Sequence, residues 1–472
     1  MPMNRKTFMA AVALSALIIL AALPMSQLFS AQVVSSANAD SVNDWPMFRH
    51  DASHTGFSES ATPTTSSPQQ LWNYTADVTA TYALDAYFPV IFGGFVYVAT
   101  ADEEQGLYGV SCLESSTGAV VWSLLVEGFP FNSPAVDGNR VYVGSGYPWK
   151  TTEGYIYCLD ASNGVQVWNS SVAEPMYSPV TFADGRVFIE SNKGNLYCLD
   201  AANGNKVWNY STGGKANLGS CPAVADGKVF VGNDDGNVFC LDAAYGAVIW
   251  NFTAYGYVSS PAVAHGYVYF GSADGNAYCI NASSGDKVWN YTTWFNTAGP
   301  AHNYQWGNMV GGAAVAYGHV YVGSSDFDVF CLDAFTGKKV WNVTTGAGVR
   351  PPTVANGCVY VCSSDGNLYC LNASSGIEYW RYALEPFSSI NSGLVSPVIA
   401  NGEVYVMSRQ EPSGIILSDH GVIIVLGLPS GVSAFPLVWI APVVGVMIIV
   451  VAVVAYLLLG RKSARIRRKT GS

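Results

Sequence analysis

The chain is short of charge. Only 12% of its 472 residues are Asp, Glu, Lys or Arg, while half are hydrophobic. Basic residues are scarcest in the middle. Of the formal net charge of −11, the two ends contribute eight positive charges and no acid, which leaves −19 for residues 40–460. A surface of that sign repels phosphate backbones, so nucleic acid is excluded as a partner. Chemistry-bearing motifs are missing as well. No Gly-x-Ser-x-Gly elbow, phosphate-binding loop or His-Glu-x-x-His occurs. The ten cysteines include no adjacent pair and no Cys-x-x-Cys-His for attaching haem. Glycine and tyrosine are abundant, 48 and 28, as in a turn-rich, aromatic β-protein.

The two ends read as addresses. Arg5 and Lys6 precede an apolar run from Phe8 to Leu23, and Ala37-Asn38-Ala39 has the small-x-small form of a cleavage site. Residues 1–39 are therefore expected to be a secretory signal peptide. Residues 437–460 are apolar and uncharged, enough to cross a hydrocarbon core of about 30 Å as one transmembrane helix. Arg461, Lys462, Arg465, Arg467, Arg468 and Lys469 follow it. Positive residues stay on the cytoplasmic side. The expected topology is single-pass in the cell membrane: ectodomain outside, linker 428–436, span, and basic cytoplasmic tail 461–472.

Between these ends the sequence repeats itself. Trp122, Trp168, Trp208, Trp250, Trp289, Trp341 and Trp380 each have Gly four residues earlier and Cys ten residues earlier. CLDASNGVQVW, CLDAANGNKVW, CLDAAYGAVIW and CLDAFTGKKVW are successive versions of one segment. The Trp-to-Trp period of 39 to 52 residues indicates a propeller or another repeat array. Each unit holds four alternating runs divided by turn residues, as in SSPAVAHG, YVYFGSADG, NAYCINASSG and DKVWNYTT. Seven units are complete. An eighth begins at SGLVSPVIANGEVYV, and QQLWNYTA, with Trp72, supplies a fourth strand from the front of the chain. Closing the ring this way removes free sheet edges. The expected fold is all-β: an eight-bladed propeller of four-stranded blades over residues 69–427, preceded by a lead-in segment, 40–68.

The Asp-Ala-x-x-Gly-x-x-x-Trp segment resembles the tryptophan-docking motif of the pyrroloquinoline-quinone (PQQ)-like repeat. DWPMFRHDASHTGFS, residues 44–58, resembles that family's approach to the ring. The family contains eight-bladed quinoprotein dehydrogenases and non-catalytic propellers such as the outer-membrane assembly lipoprotein. The resemblance implies the fold and leaves the activity open, since one fold hosts many functions. The dehydrogenases hold the quinone against a disulfide between adjacent cysteines and bind calcium through Glu, Asn and usually Asp. No residue here matches that set, so no cofactor is expected, with PQQ and calcium as the alternative.

Repetition assigns the conspicuous residues to scaffold. A binding site needs one copy and a ring needs all of them, so Trp72 and the seven repeated tryptophans are expected to dock blade on blade. The repeated cysteines are expected to fill niches between blades, too far apart for disulfides. Cys358 and Cys362 are four apart on one strand and do not bridge. His50 and His54 have i, i+4 spacing, but in a loop. Asn73, Asn169, Asn209, Asn251, Asn290 and Asn342 each follow a docking tryptophan and head an Asn-x-Ser/Thr sequon. Trp and Asn should face opposite sides of the strand, so these six are glycosylation candidates around the rim. Asn281 and Asn372 also lie in sequons, but at the Asp of the docking turn.

Function is expected in the irregular insertions. The longest, 293–308, carries Trp294, Phe295, His302, Tyr304 and Trp306, a set suited to gripping a peptide or stacking on a sugar. The reading is a non-enzymatic platform for protein or glycan partners at the cell surface. A quinoprotein-type oxidoreductase and a carbohydrate-binding surface protein are the alternatives.

Overall fold

The computed structural model describes residues 43–62, 67–77, 88–102, 107–127, 132–146, 153–176, 178–213, 220–293, 311–384, 395–410 and 420–427. The chain divides into residues 1–40 and 41–472, and every described residue belongs to the second unit. No described helix is long and apolar enough to cross a membrane. The expected signal peptide and the expected span at 437–460 lie outside the described residues.

The described chain is an all-β, eight-bladed propeller. One blade shows the logic. Ala262–Ala264 is innermost, Tyr267–Gly271 and Asn276–Asn281 follow, and Lys287–Thr292 is outermost, all antiparallel. The second and third strands are almost wholly buried because each blade is covered by neighbours on both faces. The outer strand is exposed except for Trp289, since only that side chain reaches the next blade. The ring closes as its repeats require. Gln69–Asp77 pairs with His420–Gly427, so one blade is built from both ends of the propeller.

A cross-strand row fills each blade. Tyr269 lies opposite Cys279, and Cys279 opposite Trp289. Strands two apart are separated by about 9.6 Å. The Tyr269 and Trp289 rings nevertheless lean to 6.1 Å between centroids. The small thiol between them leaves that room. Six other blades repeat the row, with centroids 5.9 to 6.1 Å apart. In the closing blade Val425 takes the cysteine's place and the rings of Tyr405 and Trp72 are 6.4 Å apart. All ten cysteines are buried and unpaired.

Blades are joined by the docking motif. The indole N–H of Trp72, Trp122, Trp168, Trp208, Trp250, Trp289 and Trp341 donates to a backbone carbonyl of the following blade, at 2.7 to 3.1 Å. The carbonyl belongs to the loop between that blade's third and fourth strands. Trp289, for example, reaches Ala334.

The innermost strands have one edge facing the axis, and the lead-in segment pairs it. Residues 43–60 make one circuit of the ring. The N–H groups of Ile91, Val136, Val224, Val263, Val315 and Val354 donate in turn to the carbonyls of Trp45, Pro46, Ala52, Ser53, Thr55 and Gly56. His54 Nε2 lies 3.2 Å from Thr181 Oγ1 of a further blade. Asn401 N–H donates to Asn43 in the closing blade, and Gly402 N–H to Ser60 Oγ. Unpaired edge N–H groups are costly, and this circuit satisfies them. Met47, Phe48, Arg49 and His54 are buried, so the axis is filled with protein at this level. Turns between first and second strands meet the segment: Asn401 and Gly402 do, Gly93 N–H donates to Asp44, and Asn356 Nδ2 donates to Thr62. This is the lead-in face. The loops between second and third strands, and the strand ends that lead from blade to blade, lie on the opposite, distal face.

Candidate functional site

The residues named by sequence fall into three groups. The docking tryptophans are framework, as above. The six sequon asparagines are exposed, each beside a buried tryptophan on an outermost strand. Asn281 and Asn372 are used locally: their Oδ1 atoms accept from the backbone N–H groups two and three residues on. Trp294, Phe295, His302, Tyr304 and Trp306 lie outside the described residues. The strands that bound their segment, Lys287–Thr292 and Ala314–Ala316, place its two ends on the distal face.

His50 and His54 do not converge. His50 packs edge-on against Trp45, while His54 packs against Phe48 and reaches Thr181. Burial pushes the His54 imidazole down to about 3, with nearby Asp51 opposing and Arg49 adding to the shift. It is a neutral core residue. The thiols are equally inert. Burial raises Cys158 and Cys198 to about 11, and Cys112, Cys240, Cys279 and Cys331 to about 12. A thiol held protonated is neither nucleophile nor metal ligand.

The distal face is where the repeats break. Two residues beyond the aromatic of each second strand stand Ala99, Gly144, Gly232, Gly271, Gly323, Cys362 and Met407. The third blade has Glu190 there. Glu190 is 0% exposed, and neither carboxylate oxygen has a hydrogen-bond partner. Burial, then the charge of Asp234 in the next blade, holds its carboxyl well above the usual range.

Two aromatics break the pattern in another way. In five blades the described loop after the second strand holds a left-handed residue. It is Gly194, Gly236, Gly275 and Gly366 in four blades, but Phe327, with φ of 77°, in the sixth. Phe327 is 46% exposed. Tyr255 is 95% exposed on the segment from the fourth blade to the fifth. Its N–H donates to Asp274 Oδ2, as Gly346 N–H donates to Asp365 Oδ2 two blades on. The distal loops at 191–195, 233–237, 272–276, 324–328 and 363–367 hold Asp234, Asp235, Asp274, Asp326, Asp328 and Asp365 against one cation, Lys193. Sequence reasoning passed over Glu190, Tyr255 and Phe327. Their signal is visible only when blades are aligned by strand position.

The fold raises the question of a quinone with calcium. Glu190 and Asp234 bring two carboxylates together. Among the described residues, however, no group of three or more His, Cys, Asp or Glu is arranged to hold a metal. The sequence has no adjacent cysteines to form the disulfide against which a quinone packs. The described residues do not fit a quinone site.

Comparison with known proteins agrees with the architecture. BamB from Moraxella catarrhalis aligns over 78% of this chain and 100% of its own, with TM-score 0.54 and 20% identity. A europium-containing methanol dehydrogenase aligns over 83% and 99%, with TM-score 0.63 and 13% identity. Quinohemoprotein alcohol dehydrogenase from Pseudomonas putida HK5 aligns over 84% and 82%, with TM-score 0.61 and 12% identity. At such identities the likeness concerns the fold alone. No curated protein matches the chain by sequence. The PQQ_2 repeat model, described as outer membrane protein assembly factor BamB, matches residues 64–148, 134–220, 214–299 and 292–419. With most of its length covered by those four matches, the chain belongs to that family of PQQ-like repeat propellers.

Proposed function

We propose that this propeller is a non-enzymatic binding platform whose working surface is the distal face. The observation that carries the reading is where the blades stop repeating. Glu190, Tyr255 and Phe327 all lie on that face, while the axis beneath is filled by the lead-in segment. Exposed aromatics on a rigid scaffold are the ordinary anchors of recognition. The described strands on either side of residues 294–310, Lys287–Thr292 and Ala314–Ala316, adjoin the same face. A protein partner at the cell surface suits these features, and the family's model is described as an outer membrane protein assembly factor. A C-terminal span at 437–460 would tether the ring, with the basic tail in the cytoplasm and glycans around the rim.

A photoreactive residue placed at Tyr255 or at Tyr245 tests the reading in native membranes. Tyr245 is 81% exposed on the lead-in face and serves as the control. Crosslinks to a discrete protein from Tyr255 and none from Tyr245 are expected. Equal crosslinking from both, or none from Tyr255, overturns the distal assignment. Stoichiometric retention of PQQ with turnover of alcohols or sugars would replace the platform by an oxidoreductase.

A further inference from the structure

On the described distal face, Tyr255 and Phe327 are exposed aromatics at positions where the fold does not ask for a ring. At the position of Phe327 four sister blades use glycine, because the backbone there is left-handed. The backbone duties are unchanged. The Phe327 carbonyl accepts from Thr345 N–H and Oγ1, as the Gly275 carbonyl accepts from Thr293. The phenyl ring adds strain, which is costly for a bulky side chain at positive φ. Being half exposed, it recovers little of that cost by burial. Tyr255 likewise stands where the sixth blade has Gly346, and both N–H groups make the same bond to an aspartate.

Charge says what these rings meet. Asp326 and Asp328 flank Phe327 in sequence, and Asp274 lies under Tyr255. Asp235 is exposed on the blade before. Lys193 in the third blade and Arg350 at the start of the seventh are the cations on the described distal face nearest this arc in sequence. Aromatic faces beside carboxylates form a receptor for cations. Guanidinium stacks on the ring and pairs with carboxylate in bidentate fashion.

Resting on the platform reading, we propose that the distal arc from the fourth to the sixth blade docks a basic, extended segment of a protein partner. Arginine or lysine side chains of that segment lie on Tyr255 and Phe327 and pair with the exposed Asp235 and with the Asp328 carboxylate, whose Oδ1 already accepts from Thr344. Features spread over the loops of the fourth to sixth blades suit a chain laid across them rather than a single small ion.

The test uses the full-length chain in mild detergent and two fluorescent peptides. One alternates Arg and Ser; in the other Glu replaces Arg. The basic peptide is expected to bind, more weakly as salt rises, and the acidic one not to bind. Phe327→Gly and Tyr255→Ala should each weaken binding about tenfold, as loss of an aromatic anchor does. Phe327→Gly should do so without lowering the melting temperature, which a packing role would not allow. Equal binding of both peptides, or unchanged affinity in both variants, overturns the proposal. So does displacement by spermine or Ca²⁺ with equal ease from wild type and Phe327→Gly, which would mean a small-cation site. Crosslinks from Tyr255 together with failed peptide binding would sink this inference alone. Absent crosslinks would sink the platform reading with it.

Discussion

Gly337 of the sixth blade lies flat against the indole of Trp289 of the fifth. A Cβ at Gly337 would stand 2.6 Å from the ring, and its φ is 67°. The motif's glycine therefore has two reasons to exist, a left-handed turn and a surface for the preceding blade's tryptophan. The same pairing joins Gly376 to Trp341 and Gly204 to Trp168.

Gly337→Ala is accordingly expected to destabilise by about 2–5 kcal/mol, summing left-handed strain and overpacking. Gly318→Ala is the control. It has φ of 72° but nothing within 4 Å of a Cβ, so only the strain remains, about 1–2 kcal/mol. Urea denaturation of the two variants checks the difference. Equal losses would mean that the indole contact contributes nothing.

All ten thiols should be silent in the native protein. Each is buried and free. A thiol-reactive chromophore is expected to report none before unfolding and ten in denaturant. Cys331→Ala should be tolerated, whereas Cys331→Leu should wedge apart the Tyr321 and Trp341 rings, which are 5.9 Å apart. Overpacking of that kind costs about 1–3 kcal/mol.

Two buried groups give stability opposite dependences on pH. His54 stays neutral in the fold, down to about 3, while the unfolded chain takes up a proton near 6.5. Its contribution is present above 6.5 and is lost as pH falls from there, at up to about 1.4 kcal/mol per unit. Glu190 has a raised carboxyl. Its contribution is complete below 4.5 and is lost as pH rises from there. His54→Asn should flatten the acid-side slope. Glu190→Gln should raise the melting temperature at pH 8 and leave it unchanged at pH 4. Parallel pH profiles for wild type and variants would refute both assignments.

The rim asparagines are exposed where an oligosaccharyltransferase would need them. Protein from its native membranes is expected to lose mass on enzymatic deglycosylation. Asn→Gln at 73, 169, 209, 251, 290 and 342 should remove the steps one at a time. The same substitutions at Asn281 and Asn372 should leave the mass unchanged, because their side chains hold turns. A mass already equal to that of the bare polypeptide would dismiss the glycan girdle.

Much of the ring was legible because a repeat states its own alignment. Trp168 and Cys158 keep a fixed separation, and the pair lie opposite each other on adjacent strands. Alternation predicted that Asn169 would be exposed beside a buried Trp168, since successive side chains of a strand face opposite ways. QQLWNYTA could be assigned to the last blade because it was a fourth strand with no blade of its own. The candidate site was less legible. Glu190 occupies a place that four other blades fill with glycine, but strand position becomes certain only once the registers are fixed. Phe327 and Tyr255 look like ordinary aromatics in a sequence rich in them. Their meaning comes from φ and exposure, which depend on neighbouring blades.

The sequence by itself determined the number of blades, the closure by an N-terminal strand, the buried thiols and the acidic character of the ring. These follow from local periodicity, which each unit carries independently of the others. Only the tertiary structure decided that residues 43–60 circle the axis, touching every blade and satisfying the inward edge of six strands. Only it placed Tyr255, Phe327 and Glu190 on one face. Those relations join residues tens to hundreds of positions apart, and no local pattern encodes them, because hydrogen-bond demand at the axis exists only after eight blades have closed around it.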